Sequence, residues 1–147
     1  MLHFEQSNVI QAPAKRVWEF YERPDILNLL TPPWQPVEII RREGGLDIGA
    51  ESEFRLWLGP LPIPWIAVHT ACVKYQKFVD VQKQGPLEFW QHQHIFLDEG
   101  EQTTLIDQIS FSLPGGEIAE MLLGDFIKQR LRDMFEYRHR VTQERCE

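Results

Sequence analysis

The segment Phe89-Trp90-Gln91-His92-Gln93-His94-Ile95-Phe96 sets two histidines two residues apart in a run that reads as a strand. Strand side chains alternate between faces, so Trp90, His92, His94 and Phe96 share one face and Phe89, Gln91, Gln93 and Ile95 the other. The histidine face carries the larger rings and is expected to turn inward. In the next candidate strand Leu105, Asp107, Ile109 and Phe111 share a face. If the intervening turn leaves Phe96 opposite Leu105, antiparallel counting sets His94 against Asp107 and His92 against Ile109. A slip of one residue would reverse those faces.

A carboxylate beside an inward imidazole fixes its tautomer and raises its proton affinity, leaving the second ring nitrogen free to face a ligand. His94 could then act as general base in a cyclisation or dehydration, with Asp107 orienting it. The reading favoured here is the plainer one, in which such groups satisfy each other and orient a ligand without reacting with it. The His92-x-His94 spacing also occurs at metal sites, and Asp107 or Asp80 would complete a two-histidine, one-carboxylate set. So short a motif arises by chance in many strands, and no metal and no cofactor are expected from it. His69, isolated in Val68-His69-Thr70, is expected to be a satisfied structural residue.

Phe78, Asp80 and Gln82 share one face of a further strand, and parity does not choose which. Inward, Asp80 and Gln82 would need hydrogen-bond partners and could orient a ligand; outward, they are solvated residues. Ser110 and Ser112 have the parity opposite to Asp107, so no nucleophile and base pair within that strand.

The elements that must position these residues follow from the hydrophobic period. Leu2 to Gln11 reads as a strand, Pro13–Tyr21 as a short helix, and Asp25–Leu30 as a second, stopped by Thr31-Pro32-Pro33-Trp34. Strands follow at Val37–Arg42, Ala50–Leu58, Trp65–Tyr75, Phe78–Lys83, Leu87–Leu97 and Thr103–Leu113, separated by Gly- and Pro-containing turns. Short connections between consecutive strands imply an antiparallel meander. Beyond Pro114-Gly115-Gly116, apolar residues recur at spacings of three and four from Ala119 to Phe135, which predicts an amphipathic helix from about Glu117 to Gln143. Its stripe of Leu123, Ile127, Leu131 and Phe135 is expected to roof a core, with Arg130, Arg138 and Arg140 facing solvent. The expected class is α+β, a curved antiparallel sheet of about seven strands around a long carboxy-terminal helix, in one domain spanning 1–147.

Trp57-Leu58-Gly59-Pro60-Leu61-Pro62-Ile63-Pro64-Trp65 reads as an apolar, proline-stiffened loop. It is expected to rim a binding site as a lid or to meet a protein partner, with the Thr31–Trp34 segment at the same rim.

Composition narrows the function. The chain has 147 residues and a net charge of −7, a field that repels nucleic-acid phosphates and anionic lipid. No run approaches the roughly 20 apolar residues of a membrane span. The amino-terminal MLHFEQSNVIQ has no basic region followed by an apolar one, and a cytoplasmic setting is expected. Its two cysteines form no CxxC motif, which argues against a structural zinc or a disulfide scaffold.

Several of these stretches resemble one superfamily. Ile10-Gln11-Ala12-Pro13 followed by Val17-Trp18, Phe78 to Pro86, Trp90 to Phe96, Thr104 to Asp107 and Pro114-Gly115 are similar to the SRPBCC superfamily, which holds START lipid-transfer domains, the birch-pollen allergen and polyketide cyclases. The cyclase/dehydrase-related branch is the nearest in pattern. The resemblance implies a helix-grip fold with a deep cavity between sheet and long helix, where an apolar or amphipathic small molecule binds. It fixes no particular ligand, since the fold serves carriers, enzymes and a co-chaperone activator. Relatives are also joined to nucleotide-sugar epimerase-like domains; this chain shows no Gly-rich dinucleotide loop, and no nicotinamide site is expected. On this reading Trp57, Trp65, Phe78, Asp80, Gln82, Trp90, His92, His94, Phe96, Phe111, Leu123 and Ile127 contact the ligand.

Overall fold

The computed structural model describes residues 1–147, with every side chain except that of Leu58. Strand β1 (Leu2–Ile10) leads into helices α1 (Ala14–Tyr21) and α2 (Ile26–Leu29). Then come β2 (Val37–Glu43), β3 (Glu51–Leu58), β4 (Leu61–Val73), β5 (Lys77–Gln84), β6 (Phe89–Asp98), β7 (Thr103–Ser112) and helix α3 (Gly116–Cys146). One antiparallel sheet runs β1-β7-β6-β5-β4-β3-β2, so β2 to β7 form a meander and β1 closes onto its last strand. This is the helix-grip architecture expected from the sequence. Among the described residues no helix is long and apolar enough to cross a membrane.

Register sets the inner face. Phe96 pairs with Leu105, His94 with Asp107 and His92 with Ile109, as counted from the sequence. On the other side Phe78 pairs with His94 and Asp80 with His92, which turns Phe78, Asp80 and Gln82 inward.

Two apolar clusters pack on this face. One lies under α1, where Trp18 and Tyr21 meet Phe78 and Phe96; the other lies under α3, where Phe135 and Leu131 meet Phe4, Ile109 and Phe111. On β7 the order Leu105, Asp107, Ile109 puts a buried carboxylate at the seam between them.

Two expectations are corrected. The Trp57–Trp65 segment is a β-hairpin rather than a loop: Trp57 pairs with Pro62 and Leu58 with Leu61 around Gly59-Pro60. Gly59 turns at φ +60°, a conformation glycine takes without strain. Prolines are tolerated at 62 and 64 because β5 pairs with β4 only from Ile66 onward, leaving that part of β4 without a neighbour to receive missing N–H groups.

The buried side of α3 runs through Gly124, Leu131, Phe135, His139, Thr142 and Cys146 rather than through Leu123. A Cβ at position 124 would come 3.3 Å from the Leu2 side chain, so glycine lets the helix settle close to β1. Leu123 is left 49% exposed, and Ile118, Met121, Leu122 and Phe126 are exposed with it, whereas Ile127 packs against the second cluster.

Candidate functional site

The seam between the clusters is filled by a network of side chains from four elements. Asp107 of β7 accepts from His92 Nε2 at 2.7 Å through Oδ1 and from His139 Nε2 of α3 through Oδ2. His94 Nε2 of β6 lies 2.8 Å from Asp80 Oδ2 of β5. His94 Nδ1 stands 3.2 Å from Asp107 Oδ1, though without an aligned hydrogen bond. The His139 ring meets Asn8 Oδ1 of β1 through Nδ1 at 2.8 Å, and Gln6 donates to the same oxygen. All these carboxylates and imidazoles are buried except Asp80, which is half-buried.

Strand geometry explains the clustering. Residues two apart on one face are stacking neighbours, and His92 and His94 lie with ring centroids 3.6 Å apart and planes 27° apart. The stack continues from His94 to Phe78 at 3.9 Å and from Phe78 to His69 at 5.3 Å. Phe135 closes the other end, edge-on to His92 at 5.1 Å. The rings are therefore held on both sides.

The electrostatics separate the members. Burial raises the Asp107 carboxyl, but the hydrogen bonds from His139 and His92 and the nearness of His94 outweigh it and hold the group well below the usual carboxylate range. Asp80 is likewise raised by burial and lowered further by the His94 hydrogen bond, with a net fall. Burial lowers His92, and the neighbouring charge of His94 adds to the fall despite the two carboxylates. For His94 burial acts downward too, but the nearby Asp107 carboxylate and the hydrogen bond to Asp80 win, and its proton is held more tightly than usual.

Several sequence expectations are met by this placement. His92, His94, Asp107, Phe78, Phe96, Phe111, Trp65 and Trp90 all lie on the inner face. His69 gives its Nδ1 to the Leu46 carbonyl at 2.9 Å, as a satisfied structural histidine does.

Others are not met. In place of a His94 with one nitrogen free beside Asp107, its Nε2 is bonded to Asp80, while the shortest bond to Asp107 from β6 comes from His92. Gln82 points inward but is spent on the next turn, exchanging hydrogen bonds with the Leu87 backbone at 2.8 and 3.1 Å. Trp57 has the parity opposite to Leu56 and Ile63 and so lies on the outer face. Arg138, expected in solvent, is half-buried, with its guanidinium 5.0 Å from the Phe135 ring centre and Nε buried without a partner. His139 and Asn8 are members that the sequence reading misses. His139 falls four residues after Phe135, so it continues the buried stripe, and that period is the signal available for it.

The room for a ligand also differs from the expected deep cavity. Beneath α3 the interior is occupied by Phe135, the histidines and Phe111, from which an aromatic row runs through Trp90 and Trp65 to Phe54, with ring centres at 6.0, 5.2 and 6.0 Å. Two surface pockets, of about 390 Å³ beside Trp34 on the outside of α3 and about 240 Å³ between α1 and the β2–β3 turn, do not reach the histidines.

A different space is left at the hairpin end. Helix α3 rests chiefly on β1, with α1 and β7 beside it. The inward residues Val37, Ile39, Phe54, Leu56 and Ile63 of β2 to β4 are consequently only half-buried, although they face the concave side. They form an apolar trough that leads along Trp65 and Trp90 toward His92, from which Trp90 is 6.3 Å away edge-on.

Comparison with known proteins agrees with this fold. The sequence matches the family described as polyketide cyclase / dehydrase and lipid transport over residues 10–136. Among solved structures, a protein of Thermus thermophilus is 18% identical with a TM-score of 0.75, covering 99% of this chain and 97% of its own. Norcoclaurine synthase from Thalictrum flavum, solved with dopamine and hydroxybenzaldehyde, is 13% identical with a TM-score of 0.68, covering 97% of this chain and 87% of its own. A nucleoside-diphosphate sugar epimerase from Corynebacterium glutamicum is 28% identical with a TM-score of 0.69 over 96% of this chain, which spans only 28% of that protein. Comparison with curated proteins gives no match.

Proposed function

The chain belongs to the polyketide cyclase / dehydrase and lipid transport family, and from that premise we propose that it binds a small apolar or amphipathic molecule in the trough between β2–β4 and α3. The observation that carries this reading is the half-buried state of Val37, Ile39, Phe54, Leu56 and Ile63 on the concave face. A strand normally hides such an inner face under its covering helix, and here α3 covers only the far side. Covering each of these five side chains with a ligand would contribute roughly 1 kcal/mol, and burial of the ligand's own apolar surface adds to that against the cost of association. Trp65 and Trp90 give the trough an aromatic wall, and the half-buried Asp80 gives a polar end.

The catalytic reading, with His94 as base and Asp107 as its partner, has less support because both His94 nitrogens face carboxylates. A partner-binding role for residues 57–65 would rest on Leu61 and the exposed Pro60, Pro62 and Pro64 around the hairpin tip, a narrow surface.

The test is native mass spectrometry of freshly purified protein with denaturing extraction of whatever accompanies it. A small apolar or amphipathic molecule retained by the wild type and lost from Phe54→Asp and Ile63→Asp supports the trough. A molecule retained by both variants, or capture of protein alone, rejects it.

A further inference from the structure

The histidine cluster has a geometry that ligand orientation alone does not require. His92 and His94 each turn one nitrogen toward Asp107 and the other toward Asp80. His92 Nε2 is 2.7 Å and His94 Nδ1 3.2 Å from Asp107 Oδ1, while His92 Nδ1 is 3.9 Å and His94 Nε2 2.8 Å from Asp80 Oδ2. The 3.9 Å separation is too long for a hydrogen bond but suits two donors of one ion, which stand about 3 to 4 Å apart when each bond is about 2.1 Å. Asp80, His92 and His94 together offer three ligand atoms that all lie within 4.8 Å of one another.

We propose that His92 Nδ1, His94 Nε2 and Asp80 Oδ2 form a three-donor site for a divalent first-row transition ion, with Asp107 as the outer carboxylate that orients both rings. Two imidazoles and one carboxylate suit zinc, cobalt or ferrous iron rather than calcium or magnesium, which favour all-oxygen shells. Metal-ligating histidines ordinarily give their remaining nitrogen to a carboxylate, and here one carboxylate faces both. His139, bonded to the second Asp107 oxygen, holds that carboxylate in turn. The stack from Phe78 through His94 to His92 and Phe135 limits how far either ring can move, and the two ring planes, 27° apart, open further when both nitrogens take one ion. On binding, the ion takes the place of the proton shared by His94 Nε2 and Asp80 Oδ2, which leaves to solvent. Three protein donors leave at least one position open, for water or for an oxygen of the trough's ligand.

Two strand histidines do not amount to a site by spacing alone; the third donor comes from the neighbouring strand through the pairing of Asp80 with His92. The inference goes beyond ligand capture and is tested without any apolar ligand. Full-length protein stripped with chelator is titrated with cobalt(II), read by visible d–d absorption, and with zinc(II), read by calorimetry. One equivalent of each is expected to bind, and Asp80→Asn, His92→Ala and His94→Ala are each expected to lose the saturable cobalt spectrum. Asp107→Asn is expected to bind 10- to 100-fold more weakly, and His3→Ala as the wild type does. Circular dichroism identifies variants that are folded, and Asp80→Asn, which keeps the side chain's size, decides the case if an alanine variant unfolds. No saturable binding by the wild type, or full-affinity binding by folded Asp80→Asn and His94→Ala, overturns the proposal. Apolar ligand capture is measured separately on the chelated protein, so the failure of either idea leaves the other standing.

Discussion

His92 and His94 lie face to face with ring centroids 3.6 Å apart, buried between two carboxylates. Two imidazolium cations cannot share that spacing away from water at tolerable cost, so the pair divides its protons unequally. His94 holds its proton more tightly than usual and His92 less tightly.

This division predicts a pH signature in the stability of metal-free protein. A histidine with a raised folded pKa contributes stability that is present below the unfolded value near 6.5 and lost as pH rises through the folded value. For His94, therefore, stability should decline on the alkaline side of about pH 6.5. His92 has the opposite sign: the unfolded chain binds its proton more readily, so its contribution falls as pH drops below about 6.5. Urea midpoints measured from pH 5 to 9 (about one pH unit apart) should show His94→Gln losing less stability than the wild type as pH rises. A parallel pair of curves would mean that His94 is not the group held charged.

Asp107 accepts from two histidines and approaches a third, so its removal strands buried donors rather than deleting one contact. Asp107→Ala should lower the unfolding free energy by about 3 kcal/mol, and Asp107→Asn by less, because the amide oxygen still accepts one bond. The wild type should also weaken in acid, since a carboxylate with a depressed folded pKa loses its contribution as pH falls below its unfolded value near 4. Chemical denaturation of both variants checks the order, which a solvated Asp107 would not produce.

Much of this was legible in the sequence, and the limits have physical reasons. Alternation in β6 and β7 fixed which side chains share a face, and the Phe96–Leu105 starting pair gave the His94–Asp107 register because the hairpin between them has no bulge. The face of Asp80 could not be read that way. Parity is relative within a strand, and the β4–β5 pairing shifts register between Ile66 and Ala67 and again between His69 and Ala71. His139 lies 32 residues from Asp107, among charged neighbours that suggest a solvated helix end; only tertiary packing joins them. The hairpin at 57–65 was obscured by prolines, which argue against a strand unless that side of it is unpaired.

The α1–α3 contact gives a smaller, local prediction. Tyr21 Oη lies 3.0 Å from Thr142 Oγ1 in a buried setting, and Thr142 also donates to the Arg138 carbonyl at 2.8 Å. Burial pushes the Tyr21 phenol far above its ordinary range, so it stays protonated. Tyr21→Phe removes one bond and keeps the ring against Phe78 and Phe96, with centroids at 6.4 and 5.4 Å. The expected loss is about 1 kcal/mol in thermal or urea unfolding, and a loss several times larger would mean that the hydroxyl supports more than this bond.

The trough makes the most direct functional prediction. Phe54 and Ile63 are half-buried on the concave face, whereas Trp57 faces outward and Leu61 is 57% exposed at the hairpin tip. Phe54→Asp and Ile63→Asp should each weaken binding of an apolar fluorescent probe by about tenfold or more, because a carboxylate in a trough that a ligand must dry is costly. Trp57→Ala should leave probe affinity within about twofold, since its side chain is on the opposite face of the hairpin. Fluorescence titration of the three variants separates the two sides of the hairpin. Equal loss from both sets would mean that the probe reports hairpin integrity, and circular dichroism melting curves of the same samples would show it as a common fall in midpoint. Loss confined to Trp57→Ala would move the binding surface to the hairpin's outside, where a protein partner rather than a small ligand is the better fit.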